Sequence, residues 1–92
     1  PIQSIATLIP QDPEIFENTI GFNITLGLPS EKGELENAMR LAAFTPVLKQ
    51  FPMGLDTEIR EKGQNLSVGQ KQRLALARGL FAAKDSSLIL MD

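Results

Sequence analysis

The sequence predicts an α/β fold that is mostly helical, with one short strand near each end of the chain. Two apolar runs carry the strand prediction: residues 5–9, which stop at Pro10, and the four consecutive apolar residues 88–91 before Asp92. The second run is continuously apolar, which is typical of a parallel strand covered on both faces. Between the two runs, apolar residues recur at three- and four-residue spacing, and this spacing predicts helices.

The chain after the first strand is predicted to be mainly loop. Asp12 and Pro13 form a turn signal, so Gln11 lies where the strand gives way to the loop. In 15–28 the apolar residues are spread among polar residues and glycines. This mixture favours a loop that contains one helical turn at about 18–23.

Two helices are predicted in the middle of the chain. Ser30 is a candidate N-cap for a helix that runs to about Phe44, and the glutamates that follow Ser30 favour the positive end of the helix dipole. Thr45 and Pro46 are the candidate N-cap and first residue of a second helix, which runs to about Gln50.

The clearest local pattern opens the last predicted helix. Ser67 and Gln70 have the spacing of a capping box, in which each side chain bonds the backbone of the other residue. Apolar residues then occupy one broad side of the helix: Leu74, Leu76, Ala77, Leu80 and Phe81. Because that side is wide, we expect the helix to be largely buried.

The composition excludes several kinds of function. The 92 residues include no cysteine and no histidine, which rules out disulfides, a thiolate nucleophile, a Cys/His zinc site and histidine acid–base chemistry within this chain. The formal net charge of −2 provides no overall basic field that would attract nucleic acid. The longest apolar runs are a few residues long, whereas a membrane-spanning helix takes about 20. We therefore expect no transmembrane segment.

The start of the last helix is also a candidate phosphate site. A helix N-terminus offers free backbone N–H groups and the positive end of the dipole, and Ser67 adds a hydroxyl donor. Gly69 lets a ligand approach the backbone closely. On the residues 66–70 alone, however, a capping box that only starts a helix explains the pattern more simply.

A longer stretch resembles a known family. Residues 66–80, LSVGQKQRLALARGL, are similar to the signature motif and following helix of ATP-binding-cassette (ABC) ATPases, with Val68 where the family usually has Gly. Four further features occur in the family's order: Gln11 as the Q-loop glutamine, FENTIGFNI at 16–24, an X-loop at 57–63 and a Walker B strand at 88–92. The resemblance covers nearly the whole chain and implies a P-loop NTPase fold, mostly its α-helical subdomain with two short parallel strands.

The resemblance implies roles for five residues. Gln11 is implied to contact the catalytic Mg²⁺ or the attacking water, and Asp92 is implied to hold Mg²⁺ through its water shell. Ser67, Gly69 and Gln70 are implied to bind the γ-phosphate of an ATP molecule held by the opposite subunit. Without the family context, Gln11 is a solvated loop glutamine and Asp92 is a polar strand end.

The stretch at 57–63 resembles the segment by which ABC exporters contact their transmembrane domains. Glu58 and Glu61 are its candidate contact residues, although a charged stretch of this kind is more often a solvated loop. The last helix also carries three cations that are expected to face carboxylates or the opposing nucleotide rather than nucleic acid: Lys71, Arg73 and Arg78.

The sequence lacks one part of the expected ATP site. No G-x-x-x-x-G-K-[ST] loop occurs in these residues, although phosphoryl transfer in P-loop enzymes requires one. We therefore expect residues 1–92 to be a partial ABC ATPase domain that includes the Q-loop, the helical subdomain, the signature helix and the Walker B strand. Alone, such a piece is expected to be inactive and to form oligomers through its exposed strand edges.

Three functions remain open at this point. The resemblance favours an exporter whose ATPase domains work at the cytoplasmic face of a membrane. An ABC-type ATPase of DNA repair or chromosome maintenance is the second, but such proteins usually have a long coiled coil between the Q-loop and the signature. Here Gln11 and Ser67 are 56 positions apart with no heptads between them. A helical interaction module without a nucleotide role is the third.

Overall fold

The computed structural model describes residues 12–31, 33–60 and 65–83. Over these ranges the chain folds into four α-helices and one 3₁₀ helix: α1 Ile20–Thr25, α2 Glu34–Leu41, α3 Thr45–Leu48, η1 Gly54–Asp56 and α4 Val68–Ala82. The mostly helical prediction is therefore confirmed. The predicted strands 5–9 and 88–92 lie outside the described residues.

Helix α1 begins two residues later than the helical turn predicted at 18–23. The Asn18 side-chain oxygen accepts the backbone N–H of Thr19 at 2.7 Å, and this contact turns the chain ahead of the helix. Thr19 is the N-cap, because its hydroxyl accepts the N–H of Phe22 at 3.0 Å. The helix ends where Leu26 takes a left-handed conformation with φ of 55°.

The predicted start of α2 is wrong. The helix begins at Glu34 behind Gly33, whereas the Ser30 hydroxyl donates to the carbonyl of Glu31 at 3.2 Å and caps nothing. Gly33 has a φ of 90°, a value that other residues rarely adopt, so a helix cannot run through it from Ser30. The Glu34 carboxylate instead accepts the N–H of Glu31 at 2.7 Å and closes the turn before the helix.

Helix α2 also ends before the predicted Phe44. Ala43 adopts a φ of 57°, and the N–H groups of Ala43 and Phe44 donate to the carbonyls of Arg40 and Met39 at 3.1 and 2.8 Å. These two bonds form a Schellman motif, in which a left-handed residue terminates a helix. The reversal sends the Phe44 ring into the core, where it is fully buried.

Helix α3 begins one residue from the predicted cap. Leu48 donates its N–H to the carbonyl of Phe44 at 2.9 Å, so Phe44 is the cap and Thr45 is the first helical residue. The helix ends at Leu48 rather than Gln50, because the N–H of Gln50 reaches back only three residues to Val47, at 3.0 Å. That closer spacing marks a 3₁₀-type turn.

The long helix α4 is the centre of the packing. Helices α1 and α2 both lie against it. The predicted burial is confirmed for its apolar side, where Leu74, Ala77 and Phe81 are buried and Leu76 and Leu80 are partly buried, whereas its first turn is exposed. The core that α4 forms with the other elements includes the fully buried side chains of Ile20, Ile24, Phe44, Val47 and Ile59. Within the described ranges, the structure contains no helix of the length and apolarity that crossing a bilayer requires.

Candidate functional site

The N-terminus of α4 is built around the predicted capping box. The Ser67 hydroxyl accepts the N–H of Gln70 at 3.1 Å, and the Gln70 side-chain oxygen accepts the N–H of Ser67 at 2.9 Å. Ser67 itself is exposed. The capping-box prediction is confirmed. The Ser67 oxygen accepts the bond from Gln70, and the hydroxyl still has its own hydrogen to donate to another acceptor.

A second element holds the Gln70 side chain. Its amide nitrogen donates to the side-chain oxygen of Gln50, just beyond α3, at 3.3 Å. Both ends of the Gln70 amide are thus engaged within the protein, one by Ser67 and one by Gln50. The orientation of the cap is therefore fixed by the turn after α3 as well as by α4 itself.

The two residues after Ser67 leave the helix end open. A Cβ placed on Gly69 would meet no atom within 4 Å, and the side chain of Val68 is 67% exposed. Val68 is absent from the residues with positive φ, so the valine fits where the family usually has glycine without backbone strain. Neither position is used for internal packing, which leaves room for a ligand at the helix end.

This end of the helix suits an anionic phosphate. The N–H groups of Val68 and Gly69 belong to the first turn and have no acceptor among the described residues. Together with the Ser67 hydroxyl, they provide three donors at the positive end of a 15-residue helix. The donors fit phosphate oxygens, which are acceptors.

The stretch that resembles an X-loop is anchored on its described side. Ile20 donates its N–H to the carbonyl of Thr57 at 2.9 Å, Ile59 donates to the carbonyl of Asn18 at 2.9 Å, and Thr19 and Glu58 form an antiparallel bridge. Ile59 is buried. The Glu58 side chain is 67% exposed and lies 3.7 Å from Arg60, so it faces outward from a fixed backbone.

Arg78 makes contacts that the sequence did not predict. Its Nε donates to the carbonyl oxygen of Asn23 at 2.8 Å, and its Nη2 donates to Asn23 Oδ1 at 3.3 Å. Its guanidinium carbon lies 5.4 Å from the centroid of the Phe16 ring. Arg78 was expected to face a carboxylate or an opposing nucleotide; the charge of Glu14 does act on it, but its hydrogen bonds go to a backbone carbonyl and an amide. No local signal in the sequence marks this contact, because an asparagine in a short, mixed segment is usually exposed.

The remaining predicted site residues are outside the described ranges: Gln11, Glu61 and Asp92. Across 12–31, 33–60 and 65–83, no group of three or more acidic side chains is placed to hold a metal ion. The structure thus brings together Ser67, Gly69 and Gln70 at the start of α4, whereas Glu58 belongs to a different segment and pairs with Thr19.

Comparisons with known proteins identify similar chains. A family model described as ABC transporter matches residues 2–92. The chain is 40% identical over 86 residues to an ATM1-type heavy metal exporter of Novosphingobium aromaticivorans, with 92% of this chain and 14% of that protein covered. It is 36% identical over 91 residues to the multidrug resistance-like ATP-binding protein MdlA of Escherichia coli, with 98% and 15% covered.

A solved structure is similar as well. A bacterial Atm1-family ABC exporter with ATP bound matches with a TM-score of 0.69 and 42% sequence identity, over 78% of this chain and 13% of that chain. The chain therefore spans between 13 and 15% of the length of these three proteins.

Proposed function

We propose, because this chain belongs to the ABC transporter family, that its α4 N-terminus contacts an ATP molecule held by a second ATP-binding domain. The fold is that of the family's P-loop NTPase domain, in its exporter-like form. The observation that carries the proposal is the open helix end, where Ser67 and Gly69 are exposed and no side chain fills the space at Gly69.

The contact is one of hydrogen bonds and charge. The Ser67 hydroxyl oxygen accepts a hydrogen bond from the Gln70 N–H, and its O–H group is free to donate a hydrogen bond to a γ-phosphate oxygen. The N–H groups of Val68 and Gly69 add two donors, and the helix dipole favours the negative charge. Gln70 is proposed to act mainly by holding Ser67, since its side chain bonds both the Ser67 backbone and Gln50.

Gln11 and Asp92 are proposed to hold Mg²⁺ at the nucleotide that this chain's own ATP-binding domain carries in the whole protein, rather than at the ATP molecule that Ser67 contacts. Oxygen donors of this type, an amide carbonyl and a carboxylate, are those that Mg²⁺ prefers, directly or through water. An ion held there would supply positive charge next to the phosphates. Gln11 is proposed to orient the attacking water as well.

Hydrolysis is proposed to need residues beyond this segment. The 92 residues contain no Walker A loop, and they match about a seventh of the length of the exporters above. We therefore assign 1–92 to a partial ABC ATPase domain: Q-loop, helical subdomain, signature helix and Walker B strand. By itself it is expected neither to hold ATP tightly nor to hydrolyse it.

The whole protein is proposed to couple ATP hydrolysis to export across a membrane, with this domain on the cytoplasmic face. Glu58 and Glu61 are proposed to contact its transmembrane domains. Glu58 is suited to that role because its side chain is exposed while the backbone on either side is bonded to the start of α1. A displacement of Glu58 by the transmembrane domains would therefore be transmitted to α1.

The test measures ATP-dependent closure of the two ATP-binding domains in the full-length protein, reconstituted in lipid, by the distance between fluorescent labels. Ser67→Arg places a bulky side chain in the open site, and we expect it to abolish closure. Ser30→Arg is the matched control, because Ser30 is also exposed but bonds only to Glu31 among the described residues. Closure that survives Ser67→Arg would falsify the proposal.

A further inference from the structure

Arg78 joins two parts of the chain that are distant in sequence. It lies on α4, and its hydrogen bonds end on Asn23, 55 positions earlier, while its guanidinium lies against Phe16. The Phe16 ring in turn meets the Phe22 ring edge-on, with centroids 6.3 Å apart. A single side chain on α4 thus contacts both α1 and the segment 14–19 that leads into it.

Asn23 makes this junction rigid. Its side chain is fully buried, and its amide donates to the carbonyls of Phe16 and Thr19 at 3.0 and 2.9 Å. Its side-chain oxygen accepts the N–H of Phe16 at 2.8 Å in addition to Arg78. Every donor and acceptor of that amide therefore has a partner, and buried networks of this kind hold one geometry.

The electrostatics of the junction agree with this geometry. Burial lowers the pKa of the Arg78 guanidinium from its usual value, and the negative charge of Glu14 opposes that shift. An arginine stays charged even so. A desolvated charge is costly unless it is hydrogen-bonded, so the bonds to Asn23 and the face of the Phe16 ring are what allow Arg78 to lie here.

Arg78 does not itself reach the phosphate site. It lies eleven positions beyond Ser67 on the same helix, which corresponds to about 16 Å along the axis. Helix α4 is unbroken over its 15 residues, and an uninterrupted helix is a stiff element. A shift of the segment 14–19 at the Arg78 end is therefore carried to Ser67 and Gly69 at the other end.

We infer that Arg78 is a positioning residue that sets the α4 N-terminus relative to the segment following Gln11. The inference rests on the proposed function, since it concerns how Ser67 is presented to ATP. It differs from a packing role in one respect: removing Arg78 changes ATP turnover through Ser67 and not only through stability.

The experiment is a double-mutant cycle in the full-length protein, with ATP hydrolysis (kcat and KM) and thermal unfolding measured for each variant. Arg78→Gln is expected to lower kcat about tenfold, the size of losing a hydrogen bond to a charged group. In the Ser67→Ala background the same change is expected to lower kcat less than about twofold, because residues that act as a unit are not additive. Arg40→Gln, on the exposed face of α2, is the control and leaves kcat unchanged.

The outcomes separate the two proposals. If Ser67→Ala leaves kcat unchanged, the proposed function is overturned, and the inference with it. If Ser67→Ala lowers kcat but Arg78→Gln lowers it equally in both backgrounds, or only lowers the unfolding temperature, the positioning role alone is overturned. Should Arg78→Gln fail to fold, Phe16→Leu removes the ring contact at a half-exposed position and is put through the same cycle.

Discussion

Helix α4 treats polar groups in opposite ways near its two ends. At its N-terminus, Ser67 and Gly69 face solvent, and donors there have no partner among the described residues. Three turns later, Arg78 is half-buried and its neighbour Asn23 has every hydrogen bond satisfied. Polar groups near Arg78 thus have their hydrogen-bond partners within the protein, whereas those at the N-terminus do not. This is the arrangement expected of a rigid support that presents a binding site.

The largest expected effect on stability is at Asn23, beside Arg78. Asn23→Leu removes the side-chain bonds to the Phe16 N–H, to the carbonyls of Phe16 and Thr19 and to Arg78 Nη2, while the bond from Arg78 Nε to the backbone carbonyl remains. We expect a loss of about 3–5 kcal/mol in unfolding free energy, because each buried polar group left without a partner costs about 1–3 kcal/mol. Chemical denaturation measures it. Asn37→Leu on the exposed face of α2 is the control, and a loss below about 1 kcal/mol for Asn23→Leu contradicts the network.

A smaller effect on stability is expected at Ser67, at the N-terminus of α4. Ser67→Ala removes the acceptor of the Gln70 N–H, and we expect a cost of about 1 kcal/mol, typical of a lost N-cap. Thermal unfolding measures this cost. Ser67→Asp separates the two roles of Ser67, because it restores the cap but brings a negative charge to the phosphate site. Stability that recovers in Ser67→Asp while ATP-dependent closure stays lost supports the comparison, and recovery of both would contradict it.

Gly69→Ala is expected to divide stability from function. An added Cβ meets no atom within 4 Å, and alanine favours a helix over glycine, so unfolding free energy should rise by up to about 1 kcal/mol. ATP-dependent closure should weaken because the Cβ occupies the space proposed for the phosphate. Gly79→Ala, also unobstructed and on the same helix, is the matched control for stability alone. Equal closure in the two variants would count against the site.

The smallest effect is expected at Glu58. Its side chain and that of Arg60 are mostly exposed and form a 3.7 Å ion pair, so Glu58→Gln should change the unfolding free energy by less than about 1 kcal/mol. Coupling of ATP hydrolysis to transport should nevertheless fall, since Glu58 is proposed to contact the transmembrane domains. Transport per ATP hydrolysed, measured in vesicles, checks this. An unchanged ratio would remove Glu58 from the interface.

What could be predicted from the sequence was what depends on near neighbours. The capping box of Ser67 and Gln70 spans three positions, and it is present as predicted. The start of α2 was missed because Ser30 satisfies every local rule for an N-cap. The positive φ of Gly33 and the contact of Glu34 with Glu31 decide the matter instead.

The Arg78 junction could not be predicted for a different reason. An asparagine in a short, mixed segment is usually exposed, and nothing near Asn23 in the sequence indicates burial. Its burial depends on an arginine 55 positions later, which comes into reach only when α1 packs on α4. The exposed donors of the candidate site could thus be predicted from residues 66–70, whereas the contacts between Arg78 and Asn23 could not.

The bridge between Thr19 and Glu58 closes a loop of chain that contains α1, α2, α3 and η1. Inside that loop, the connection at 28–31 is exposed throughout. Adding ten residues there lengthens a closed loop of roughly forty residues. The free-energy cost of closing that loop then rises by only about 0.2 kcal/mol. A peptide tag or a reporter sequence inserted at this link should be accommodated, which gives a way to label the domain without touching either end of α4.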